Sequence, residues 1–113
     1  MRSIATRSLL ALLLGAAPAP ASAAWTFCVA AAPGGKDIWI TDVFAATRDR
    51  DRLEGDLKGY LKAMGVGGAV AQCPLPQDDK TDVVNAQFTA ADFNRKLGHT
   101  LHEVAAPEFE PRR

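Results

Sequence analysis

His99 and His102 are the only histidines of the chain, so they are its ready-made general bases near neutral pH. Three residues apart on a strand, they point to opposite faces and cannot share a metal ion or a reacting atom without distortion of the strand. With Asp92 and Glu103 close by in sequence, they outline one composite site, that of a small hydrolase or metal-dependent enzyme. Surface histidines on an edge strand are the simpler account. Asp78, Asp79 and Asp82 crowd a loop and a helix start in the manner of a weak calcium site, but carboxylates are favoured at that end of a helix for its dipole alone. Pro33-Gly34-Gly35-Lys36-Asp37 has the glycines and lysine of an anion cradle. It lacks the spacing and the Ser or Thr of a P-loop, and no helix start follows, so it reads as a hairpin turn.

Cys28 and Cys73 lie 45 positions apart on predicted strands, whereas a dithiol active site keeps its cysteines close together at a helix start. In an oxidising compartment two such cysteines make a structural disulfide, here with one connectivity. Closing so long a loop contributes up to roughly 4 kcal/mol in the chain-entropy model. The sequence assigns no catalytic residue, no metal ligand and no cofactor.

Residues 1–23 carry the parts of a secretory signal peptide in order. Arg2 and Arg7 give a positive start, 9–17 is an uncharged Leu/Ala run, Pro18 and Pro20 break any helix, and Ala21-Ser22-Ala23 supplies the small residues before a cut. The apolar run is too short to span a bilayer, which needs about 20 residues. Trp25, Thr26 and Phe27 before Cys28 do not form a lipobox, and Arg2 and Arg7 are not adjacent as a twin-arginine signal requires. Cleavage before Ala24 leaves 90 of the 113 residues, one domain with a modest core. It also removes Ser3, Ser8 and Ser22, which are all the serines of the chain, and with them serine nucleophile chemistry. Losing Arg2 and Arg7 reduces the basic residues from 13 to 11, against 13 acidic ones. A net charge of −2 offers no general attraction to nucleic acid or to anionic membrane.

The elements that must position these side chains begin with a hairpin over 25–44, turning at 33–36. A turn centred on Gly34 and Gly35 sets Ala31 opposite Ile38, Val29 opposite Ile40, Phe27 opposite Asp42 and Trp25 opposite Phe44. These residues share one face, almost wholly apolar, which is expected to be the core. Leu53, Leu57, Tyr60, Leu61 and Met64 form a helical stripe, with Asp51 and Glu54 as a capping box and Gly65 as the stop. A short strand follows at 69–73. A second helix, capped by Asp79 or Thr81 and ending at Gly98, sets Val83, Ala86, Ala90, Phe93 and Leu97 in one stripe, with Thr89 as a point where it could break. A last strand starts at His99, and 107–113 reads as a C-terminal tail.

The expected fold is therefore a single α+β domain over 24–106, in the order β-β-α-β-α-β, with two helices packed on one face of a four-stranded sheet and one disulfide. The opposite face then carries Trp39, Thr41 and Val43, a candidate partner surface that a partner, a second copy or the tail must cover. The functional expectation is a periplasmic or secreted, non-enzymatic domain that binds a protein, a peptide or a cell-envelope component, or that inhibits a secreted enzyme, with no stable membrane insertion after signal cleavage.

Overall fold

The structure is a computed structural model that describes residues 24–109; the expected signal segment 1–23 and residues 110–113 lie outside the described residues. Its first strands are β1 (Trp25–Thr26), β2 (Val29–Ala31), β3 (Asp37–Thr41) and β4 (Phe44–Ala45). β2 and β3 pair in the expected register, Val29 opposite Ile40 and Ala31 opposite Ile38. The turn between them is built on Pro33 and Gly34: the Gly35 N–H donates to the Ala32 carbonyl at 2.9 Å, and Gly34 has φ +96°. This is the arrangement of a type II turn, where a left-handed residue must follow the proline.

Beyond Cys28 the register slips. Thr26 lies opposite Phe44 and Trp25 opposite Ala45, so Phe27 and Cys28 face three residues, Thr41, Asp42 and Val43. That extra residue is a bulge, and it reverses which side chains share a face. Thr41 makes the break tolerable: fully buried, its Oγ1 accepts the Cys28 N–H and donates to the Asp42 carbonyl, both at 2.9 Å. Phe44 is thereby turned to the side of Cys28 and Trp39. Trp25 and Phe27 stay on the side of Ile40.

The chain continues through α1 (Arg50–Ala63), β5 (Val70–Gln72), α2 (Lys80–Lys96), β6 (Thr100–Val104) and α3 (Ala106–Phe109). The fold is α+β in the expected order. Asp49 rather than Asp51 caps α1, accepting the Arg52 N–H at 2.9 Å. Gly65, at φ +94°, ends it as expected, with the Val66 N–H returning to the Leu61 carbonyl at 2.8 Å. Asp79 caps α2, and that helix runs through Thr89 without a break.

The sheet order is β5-β2-β3-β6, with β3 and β6 parallel and the other neighbours antiparallel. Strands β3, β5 and β6 therefore run the same way. The connection through α1 crosses the sheet from β3 to β5, and the one through α2 crosses back from β5 to β6. Two connections of one hand that cross in opposite directions must use opposite faces. The expectation that both helices share a face is corrected on this ground: Leu53, Leu57 and Leu61 of α1 pack on Cys28, Ala30 and Trp39, whereas Val83 and Ala91 of α2 pack on Phe27 and Ile40.

The α1 side is the denser layer. Its three leucines are fully buried, Cys28 and Cys73 are joined with their Cα atoms 4.2 Å apart, and Phe109 meets Phe44 edge to face at 5.6 Å. That last contact places a helix where a tail was expected to begin. α3 is started by the bulge residue Asp42, whose Oδ1 accepts the Ala106 N–H at 2.7 Å.

Candidate functional site

Trp39, Thr41 and Val43 do not form an open partner surface. Trp39 is only 8% exposed and lies under α1, Thr41 is consumed by the bulge, and Val43 packs from the opposite side against the α2 layer. The physical reason is the crossing of α1, which covers the face that a one-sided arrangement would have left bare.

The histidines take separate partners. His99 Nδ1 is 2.9 Å from Asn94 Oδ1 at the end of α2, and His102 Nε2 is 3.0 Å from Asp37 Oδ1. Asp92 pairs with Lys96 at 3.0 Å. The composite site of both histidines with Asp92 and Glu103 is not assembled. What forms instead is a cluster on the α1 side: parallel pairing sets Trp39 beside His102, their rings stack at 4.7 Å and 19°, and Asp37 holds the imidazole. Sequence reading missed this trio because only the β3–β6 pairing joins residues 65 positions apart. Such a pair can orient an imidazole, but no serine is present after residue 22 and both cysteines are bonded to each other. Of the acidic trio, Asp79 is the cap, its Oδ1 accepting the Thr81 and Asp82 N–H groups at 2.9 and 3.4 Å. Among the described residues no group of three or more His, Cys, Asp or Glu side chains is placed to hold a metal ion.

Two clefts among the described residues differ in what their polar groups are doing. One, of about 410 Å³, lies at the C-terminal ends of β3 and β6 and is lined by Ile40, Asp42, Gln87, Glu103, Val104 and Ala105. Asp42 is bound to Ala106, and Gln87 Nε2 donates to the Thr41 carbonyl at 2.8 Å, so these groups serve the fold. The other, also about 410 Å³, is lined by Phe27, Val29, Arg50, Gln72, Cys73, Pro74 and Ala90. Its floor and one wall are apolar.

The second cleft exists because α2 does not cover its face evenly. The helix packs on β1 and β6, is tied by Gln87 to Thr41, and carries Lys80 with Nζ 4.5 Å from the Trp25 ring. On the same face, toward β5, Val29 and Ala31 are half-buried and Gln72 is exposed, while Val70 is 64% exposed. Ala86, Phe93 and Leu97 stand at i−4, i+3 and i+7 from Ala90, so they continue the helix flank that forms the cleft wall. Phe93 and Leu97 are 61% and 56% exposed. An apolar helix flank thus stands beside a strip of uncovered apolar sheet.

Across the sheet edge the same cleft is closed by α1. Arg50 Nε donates to the Cys73 carbonyl and the Cys73 N–H donates to Glu54 Oε2, each at 2.9 Å. These bonds satisfy the peptide groups that the end of an edge strand would otherwise offer to another chain. The chain matches no family model, no curated protein and no solved structure.

Proposed function

We propose that the protein is an exported, non-enzymatic binding module that holds an apolar segment of a partner protein or peptide in the cleft between α2 and strands β2 and β5. The observation that carries this reading is the uneven cover of the α2 face, which leaves Val29 and Val70 beside an apolar helix flank. A cleft of about 410 Å³ falls in the range of recognition pockets. Export is supported by the signal-like segment at 1–23 and by the Cys28–Cys73 disulfide, which is consistent with a location outside the cytoplasm. No helix among the described residues is long and apolar enough to cross a membrane.

The test is site-specific crosslinking in the producing cell. A photoreactive residue in place of Gln72 is expected to give an adduct with an envelope protein that disappears when Ala90→Glu blocks the cleft. The same group in place of Phe88, on the far flank of α2, is expected to give none. Adducts at 88 but not at 72 would overturn the reading. N-terminal sequencing of the exported form checks the address, with Ala24 as the expected first residue.

A further inference from the structure

We infer that Arg50 receives the C-terminal carboxylate of an apolar peptide lying in this cleft, an assignment that rests on the function proposed above. Arg50 opens α1 on the other side of the sheet, yet its side chain reaches round the edge at Cys73 and lines the cleft beside Gln72 and Pro74. The 2.9 Å bond from Nε to the Cys73 carbonyl anchors the guanidinium and leaves the N–H groups of both Nη atoms to donate elsewhere. The ion pairs among the described residues are Arg48 with Asp56, Lys96 with Asp92 and His102 with Asp37, and none of these involves Arg50. Glu54, one turn along, is committed to the Cys73 N–H.

A planar cation that lines an apolar cleft and is held there by one hydrogen bond is complementary to an apolar chain that ends in a carboxylate, gripped by two parallel N–H bonds. The exposed rim at Val70 and Gln72 leaves the cleft open to solvent along one side. A peptide main chain needs that opening to keep its amides hydrated, whereas an acyl chain gains most from full enclosure. The occupant is therefore a peptide terminus rather than a fatty acid.

The experiment titrates the ¹⁵N-labelled, disulfide-bonded domain with synthetic hexapeptides ending in Val, Leu or Phe, each as free acid and as C-terminal amide, and with sodium octanoate. The expected result is amide shifts at Gln72 and Ala90, with the acids binding about tenfold tighter than the amides. That preference is expected to vanish in Arg50→Gln and to survive in part in Arg50→Lys. Equal binding of acid and amide on the unaltered protein overturns the role of Arg50 while leaving the cleft reading intact, and it does so even if a variant fails to fold. Octanoate binding without peptide binding overturns the choice of occupant. Failure of every peptide to bind overturns this inference, while the crosslinking pattern decides the broader reading separately.

Discussion

The two faces of the sheet are built on opposite terms. On the α1 side, three leucines at i, i+4 and i+8 are fully buried over Cys28, Ala30 and Trp39, and the disulfide, Phe44 and Phe109 close the layer. On the α2 side the buried helix positions are Val83 and Ala91, with Ala90 half-buried and Gln87 bonded to the sheet. Val84, Phe88 and Phe93 of α2 and its C-cap residue Leu97 are all exposed. A helix that meets a sheet through alanines lies close to it and gains little from burial. The contrast separates a layer that holds the fold from a layer that leaves apolar surface uncovered.

Truncation in the α1 layer is therefore expected to have the largest effect. Leu57→Ala deletes a fully buried side chain from the centre of the stripe and should destabilise by about 4 kcal/mol, read from urea unfolding. A loss below about 1 kcal/mol would mean that α1 is not the stabilising layer. Next comes the staple of the same layer: replacing Cys28 and Cys73 together by alanine should cost about 3 kcal/mol, since the loop closed spans 45 positions. The third value belongs to the thinner side. Val83→Ala should lose about 2 kcal/mol, two methyl groups and the void they leave, roughly half the effect of Leu57→Ala. Equal losses at 57 and 83 would erase the distinction between the layers.

What the sequence made legible follows the same division. The hairpin register near the turn, the disulfide and both glycine helix stops were readable because each depends on local chemistry or on a unique pairing. The bulge was not, since nothing in Thr41-Asp42-Val43 announces an extra residue until the buried Thr41 hydroxyl is seen to replace a ladder bond. The placement of the helices was lost with the strand order: the direction of each crossover decides the face, and periodicity carries no such information. In α2 the apolar stripe of Val83, Ala86, Ala90, Phe93 and Leu97 was misleading for a further reason. The helix buries Val83 and Ala91, with Ala90 and Gln87 half-buried beside them, and the Gln87 amide ties that side to the Thr41 carbonyl of the sheet. The polar Gln87 thus faces the sheet while Phe93 and Leu97 face solvent. A rule that sends apolar residues inward cannot anticipate that.

The exposed flank supplies the smallest expected effect on stability and the most discriminating one for function. Phe93→Ser and Leu97→Ser remove large apolar groups that are more than half exposed, so each should change unfolding free energy by no more than about 0.5 kcal/mol. If the flank only happened to be apolar, peptide binding in the neighbouring cleft would be equally indifferent. If it is the wall of a recognition site, the same substitutions should weaken binding by roughly tenfold, because each withdraws apolar area that a bound segment would cover. Phe88→Ser is the internal control: it is 68% exposed on the far flank of the same helix, and it should leave both quantities unchanged. A common weakening by all three substitutions would point to a general change in α2, whereas a loss confined to 93 and 97 places the ligand between that flank and the uncovered strands.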